Sequence, residues 1–346
     1  MKNIGILTGG GDAPGLNAVI RAVVYKASSL GISVLGIKEG WAGLLKGEAT
    51  LLSKEEVADI YSLGGTIIGT SRTNPYKIEG GSKKAIENFN KLGLDALIAA
   101  GGEDTLGVAN KLFQEGLRVV GVPKTIDNDL SCTDYTFGFD TAVSIATEAI
   151  DRLHTTAKSH RRSLVVEIMG RHAGWITLMA GLAGGAHYII IPEVPFDISE
   201  VCQLVKERVE KGKLYTIIAV SEGARFATDQ EKTGHFLQNQ ELDAFGHVRL
   251  GGIGKTLEKI IEKETKVETR SVVLGHLQRG GSPTAFDRNL GTRLGIKAVE
   301  LAKEGRFGYL ACLYENKITA MPLSEAVGKI KTVDPELYEI AKTFFS

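Results

Sequence analysis

Residues 123–129 read Pro-Lys-Thr-Ile-Asp-Asn-Asp and carry four groups able to do chemistry within seven positions. Asp127 can take a proton from an incoming hydroxyl, and Asp129 can steer a cation or a second charge. Lys124 offers a compact positive charge for a phosphate, with the Thr125 hydroxyl beside it. An isolated Asp-Asn-Asp run is more often a solvated turn that caps the next helix, because Asn and Asp favour such turns. This run has company. Thr8-Gly9-Gly10-Gly11-Asp12-Ala13-Pro14-Gly15 is a glycine turn opening a helix, a form that presents free amides and a helix dipole to an anion. The dinucleotide fingerprint is not met there, since Gly9 and Gly11 are followed by Pro14. Residues 64–72 form a second Gly/Ser/Thr-rich loop, carrying Arg72. In Gly101-Gly102-Glu103-Asp104-Thr105 a phosphate-type turn also bears two carboxylates, which would repel a phosphate. A divalent cation between them resolves the conflict, and Mg²⁺ suits oxygen ligands; the plainer reading is an acid-capped helix.

These groups need elements to hold them. Apolar runs at 4–7, 33–37, 95–100, 118–122, 163–168, 215–220, 271–274 and 309–314 read as strands. Helical patterns at about 17–30, 139–156, 287–303 and 334–344 alternate with them, so the fold expected is α/β. Polar groups recur just past the carboxyl ends of the strands, where open α/β sheets bind ligands. Examples are Met169-Gly170-Arg171-His172, Ser221-Glu222-Gly223 and the stretch from Gly275 to Pro283. Residues 224–252 differ, being Gln- and Asp-rich with weak periodicity, and are expected to make a partly ordered surface excursion. Gly251-Gly252-Ile253-Gly254-Lys255-Thr256 invites comparison with a P-loop, but the required first glycine falls at Arg249 and no strand precedes it.

Composition narrows the partners. The 346 residues carry 41 Lys plus Arg against 41 Asp plus Glu, so no global basic field points to nucleic acid. Three widely spaced cysteines, Cys132, Cys202 and Cys312, suggest a reducing cytoplasm and no metal cluster. Nothing resembles a signal peptide at Met1-Lys2-Asn3, and residues 173–191 read as a helix followed by a strand and not as a membrane span.

In family order, the motifs resemble the 6-phosphofructokinase family over nearly the whole chain. The matching stretches are T-x-G-G-D-x-P-G-x-N in the 8–17 region, P-x-T-I-D-N-D at 123–129, M-G-R at 169–171 and G-H-x-Q-R-G-G-x-P at 275–283. The resemblance implies two Rossmann-like three-layer αβα domains with mainly parallel sheets and the active site in the cleft between them. Residues 1–138 plus about 280–330 would be the phosphoryl-donor domain, and 139–279 plus about 331–346 the fructose-6-phosphate domain. It further implies that Asp127 deprotonates the 1-hydroxyl of fructose 6-phosphate, flanked by Thr125 and Asp129, while Arg171 stabilises the transferred phosphoryl. Met169, Gly170, Glu222, His276 and Arg279 match positions that hold the sugar phosphate. Arg162 and Arg270 match two more that come from an adjacent subunit, implying a homodimer or homotetramer with shared sites. Gly11 and Arg72 match donor-phosphate positions, and Glu103 a magnesium-coordinating acid.

Two departures concern the donor. Members that use ATP typically have G-G-D-G-S and P-G-T-I-D-N-D, whereas this chain has Asp104 and Lys124, as the pyrophosphate-using branch does. A carboxylate at 104 would repel the α-phosphate of a nucleotide by roughly 4 kcal/mol at about 4 Å and an effective dielectric near 20. Lys124 would supply charge to the more compact anion. Pyrophosphate is therefore the donor expected, with ATP the alternative. More distant readings are a NAD- or lipid-kinase relative, which would lack the 275–283 stretch, and a catalytically silent sugar-phosphate-binding subunit, against which intact Asp127, Asp129 and Arg171 argue. Among effector positions of allosteric relatives Arg21 and Lys213 match, while Tyr25 and His154 stand in place of arginines.

Overall fold

The computed structural model describes residues 1–227 and 252–346, so most of the Gln- and Asp-rich stretch lies outside the described residues. In chain order the strands are β1 (Asn3–Thr8), β2 (Ser33–Ile37), β3 (Ala49–Leu52), β4 (Ala96–Gly101), β5 (Val119–Pro123), β6 (Ser163–Ile168), β7 (Tyr188–Ile190), β8 (Thr216–Ser221), β9 (Thr269–Val273), β10 (Tyr309–Tyr314) and β11 (Lys317–Pro322). They form a seven-stranded sheet ordered β11-β10-β5-β4-β1-β2-β3 and a four-stranded sheet ordered β7-β8-β6-β9. Pairing is parallel except for β2 with β3 and β10 with β11. Contacts divide the chain into a first unit of 1–126, 130–141 and 279–330 and a second of 127–129, 142–278 and 331–346. The division falls at 141/142, inside the helix Phe139–His160, and it assigns Asp127–Asp129 to the second unit.

In the first unit β4 and β5 are buried at every residue, as expected of parallel strands covered on both faces. Alternate residues build two cores. Ile4, Ile6, Ile98, Val120 and Val122 face one cluster, together with Val19, Val23 and Leu294 from the helices Leu16–Ser29 and Ala285–Lys303. Leu7, Leu97, Ala99 and Val119 face the other, with Phe89 and Leu106 from the helices Gly81–Lys91 and Glu103–Gln114. The period of two along the strands is what sorts them into three layers. Gly295 lets the helices Leu16–Ser29 and Ala285–Lys303 approach closely, since a Cβ there would lie 2.9 Å from the carbonyl oxygen of Val19.

In the second unit Val165, Ile218 and Val220 pack with Val201, Val205, Leu257 and Ile261, which come from the helices Ile198–Glu210 and Ile253–Thr265. The helix Trp175–Ala183 approaches β7 and β8 at Gly181, where a Cβ would be 2.9 Å from Ile189 and 3.3 Å from Ala219. The expected helix followed by a strand within 173–191 is this helix followed by β7. Among the described residues no helix is long and apolar enough to cross a membrane.

Strands 33–37, 163–168 and 309–314 lie where the apolar runs put them. The antiparallel edge strands β3 and β11 were not anticipated. Neither carries a run of buried residues, because an edge strand with one solvated side needs no continuous apolar stretch.

Candidate active site

In the first unit β1, β4 and β5 are neighbours and parallel, so the loops that follow them emerge at one sheet edge. The 64–72 loop is stitched to the glycine turn: Thr8 Oγ1 donates to the Gly69 carbonyl (2.7 Å), Gly10 N–H to that of Ser71 (3.0 Å), and Thr70 Oγ1 to that of Gly10 (2.7 Å). Arg72 is exposed at its end. Gly9 is required by Thr105, whose Oγ1 would lie 2.6 Å from a Cβ at that position. Lys124 is 3% exposed, and its ammonium donates to the Gly11 carbonyl. Arg279 donates to the Asp12 carbonyl (3.1 Å), and its guanidinium would stand 2.8 Å from a Cβ on Gly11. The helices Leu16–Ser29 and Glu103–Gln114 begin at Gly15 and Gly102, with no side chain capping either. Two uncapped helix starts beside two cations make a place for an anion.

Glu103 and Asp104 occupy the first turn of their helix, half-buried, where a helix dipole favours them. Glu103 accepts from Gly328 N–H at 3.2 Å through one oxygen. Among the described residues no cluster of three His, Cys, Asp or Glu could hold a metal by itself. That donor set fits Mg²⁺ in its usual role, held by one or two carboxylates together with substrate phosphates. Thr125 is nearly buried, its carbonyl accepting from Thr136 Oγ1 at 2.7 Å.

In the second unit the Asp127–Asp129 turn is held by Asn128, which is 3% exposed and sits at φ 50°. Asn tolerates that left-handed conformation better than most residues. β6 runs out into Met169-Gly170-Arg171 and its parallel neighbour β8 into Glu222-Gly223, with Ile168 in register with Ser221. Ser221 Oγ donates to the Gly170 carbonyl (2.7 Å), as does Gly223 N–H (3.1 Å). Any Cβ on Gly223 would collide with the Arg171 carbonyl, so the two loops touch through backbone. Met169 N–H donates to Oε1 of the wholly buried Gln278 at 3.3 Å. His276 stands exposed in the 3₁₀ turn Gly275–Arg279. The Glu222 carboxyl is pushed up to about 6, first by burial and then by the nearby Asp127 charge, against the pull of Gly170 N–H and Arg171. Asp127, Arg171 and Glu222 thus share one field.

Arg162 and Arg270 are not brought to that edge. Arg162 precedes β6, whose six residues, about 20 Å of strand, separate it from Met169. Arg270 pairs with Leu164 near the start of the same strand. Both guanidiniums bond to Glu268, at 3.3 and 2.9 Å. Nor is the glycine turn at 252–254 open to phosphate: the buried Glu167 carboxylate accepts from Gly252 N–H (3.1 Å) and Gly254 N–H (2.8 Å). Arg21 lies over Tyr25 at 4.5 Å and donates to the Ala58 carbonyl, while His154 stacks edge-on with His187 and Tyr215. Thr105 and Gln278 lie inside the 101–105 and 275–283 stretches, and their types alone assign them no role. Glu167 carried no local signal, because its partners lie 85 and more residues away.

The family model for phosphofructokinase matches residues 3–302. A pyrophosphate–fructose 6-phosphate 1-phosphotransferase of Amycolatopsis mediterranei is 57% identical over 99% of both chains. An ATP-dependent 6-phosphofructokinase of Mycobacterium bovis is 49% identical, again over 99% of both. Among solved structures, the T-state phosphofructokinase of Pichia pastoris superposes with a TM-score of 0.81 at 34% identity, covering 99% of this chain and 36% of its own.

Proposed function

The chain belongs to the phosphofructokinase family, and from that premise we propose that it transfers a phosphoryl group from pyrophosphate to the 1-hydroxyl of fructose 6-phosphate, giving fructose 1,6-bisphosphate and phosphate. One observation carries the donor: the ammonium of Lys124 is lodged on the Gly11 carbonyl, at the sheet edge where Asp104 opens its helix. Lys124 puts charge on a compact anion, and Asp104 opposes the α-phosphate of a nucleotide. The second reading, ATP as donor, is favoured by the 49% identical relative that bears that name.

Asp127 takes the proton of the 1-hydroxyl as its oxygen bonds to the phosphorus in line with the departing phosphate. Thr125 and Asp129 flank it, and Arg171 takes up charge on the transferred group. The uncapped starts at Gly15 and Gly102, with Gly11 and Arg72, hold the donor oxygens. Mg²⁺ would neutralise charge on the pyrophosphate, held by Glu103 and the phosphates themselves. Met169, Gly170, Glu222, His276 and Arg279 hold the sugar phosphate, although Arg279 lies in the first unit, against the donor-side loop. Hydrogen bonding across Glu222, Gly170 and Ser221 sets the geometry on the sugar side.

Arg162 and Arg270 reach a sugar phosphate from a second copy of the chain. Their place at the far end of β6 and β9 supports this, since neither reaches Arg171 within its own unit. A homodimer or homotetramer follows. We place the enzyme in the cytoplasm; Cys132, Cys202 and Cys312 are free thiols, as suits a reducing compartment.

Two experiments test the reading. Purified chain given fructose 6-phosphate, pyrophosphate and Mg²⁺ should release fructose 1,6-bisphosphate; no turnover with either donor would reject the reaction. An Arg162→Ser chain mixed with an Asp127→Asn chain should recover activity in the hybrids. Hybrids shown to form but inactive would mean that each site is built from one chain.

A further inference from the structure

We infer that Lys331 is a positioning residue for the proposed transfer, tying the Asp127–Asp129 turn to the loop that carries Arg171. This rests on the proposed reaction for its kinetic consequence. All the groups involved lie in the second unit.

Four contacts converge on this residue. Its backbone N–H donates to the Asp129 carbonyl at 2.8 Å. Its ammonium donates to Asn128 Oδ1 at 3.1 Å. Its own carbonyl accepts from the Trp175 indole at 2.9 Å, and its ammonium lies 5.6 Å from the centre of that ring. Trp175 begins the helix that follows Arg171 by four residues. Two residues along, Val333 N–H donates to Glu193 Oε1 at 2.9 Å, and the same carboxylate accepts from Gly174 N–H at 3.0 and 3.1 Å. A closed circuit results, Lys331, Val333, Glu193, Gly174 and Trp175, and the aspartate turn is attached to it at Lys331.

The circuit acts on two features that are costly to hold. Asn128 is a buried left-handed residue whose conformation sets the directions of the carboxylates on either side. The Lys331 ammonium fixes its carboxamide with a charge-assisted hydrogen bond, stronger than a neutral one. Arg171 sits in a loop whose exit is pinned by Glu193 at Gly174. An error of about 1 Å in a reacting group can cost on the order of 10²-fold in rate, so a brace of this kind acts on kcat.

The test uses the full chain. Lys331→Met keeps the backbone hydrogen bonds and removes the ammonium. Its kcat should fall by about tenfold to a hundredfold, with KM for fructose 6-phosphate within about twofold of the parent. Lys331→Arg, which restores a charged donor, should recover part of the loss. Asn128→Gly accepts the positive φ but removes the acceptor, and the double variant should be no worse than the worse single one. Unchanged kcat in Lys331→Met, or losses that add in the double variant, would overturn the inference. A raised KM at constant kcat would also overturn it, because the ammonium would then be touching substrate. If the parent itself turns over nothing, the proposed reaction fails and the brace is read by hydrogen exchange. Lys331→Met should then speed exchange across 127–130 and leave 9–15 unchanged; unaltered exchange across 127–130 would overturn it.

Discussion

The two units build the loops proposed to face ligand by different means. In the first, glycines let backbone and neighbouring side chains close together: Thr105 against Gly9, Arg279 against Gly11, Lys124 on the Gly11 carbonyl. In the second, buried or half-buried polar side chains reach across the chain and hold the loops from behind. Gln278 holds Met169, Glu193 holds Gly174, and Lys331 holds the aspartate turn. A cradle for phosphate needs many amides at close range, which glycine supplies. A proton-transfer site needs a few side chains held to fractions of an ångström, which buried hydrogen bonds supply.

The sharpest way to break the contrast is at the proposed base. Asp127→Asn keeps size and hydrogen bonding but accepts no proton. Its kcat should fall by about 10² to 10⁴-fold while sugar-phosphate binding survives. Near-normal turnover in steady-state kinetics would remove Asp127 from the chemistry and leave the second unit without its special role.

A pair of glycine variants compares the units directly. A methyl on Gly11 meets only the movable end of Arg279, whereas one on Gly223 meets the Arg171 backbone. Gly223→Ala should lose about 1–3 kcal/mol of stability, while Gly11→Ala unfolds close to the parent and is impaired in pyrophosphate KM instead. Equal losses in denaturant melts would show that the two loops are equally rigid.

The smallest effect is electrostatic. Glu222 has its carboxyl raised from 4.5 to about 6 in the fold. Between those values the folded chain keeps a proton that the unfolded chain has released, so stability falls as pH rises through the window and stays lower above it. Glu222→Gln removes that penalty. Thermal melts should show the variant gaining up to about 2 kcal/mol on the parent above pH 6, and the gain vanishing below about pH 4.5. Parallel curves from pH 4 to 8 would mean that the fold does not raise the Glu222 carboxyl.

The same contrast explains what could be read from the chain alone. The first unit's loops were legible because glycine turns and uncapped helix starts leave local marks, as at Gly9–Gly11 and Gly101–Gly102. Strands buried on both faces, such as β4 and β5, were legible as apolar runs. Edge strands β3 and β11 were not, since pairing on one side makes no such run. Asp127, Arg171 and Glu222 stood out as polar groups past strand ends. Their supports did not: Glu193 and Lys331 act on partners 19 and 203 residues away, and no spacing announces such pairs.

Pyrophosphate as donor is tested by one comparison: kcat/KM with pyrophosphate against kcat/KM with ATP, at saturating fructose 6-phosphate and Mg²⁺. With Lys124 buried against the glycine turn and Asp104 opening its helix, the parent chain should prefer pyrophosphate, and Asp104→Gly should move the ratio toward ATP. A parent that already prefers ATP would contradict the account of the donor site.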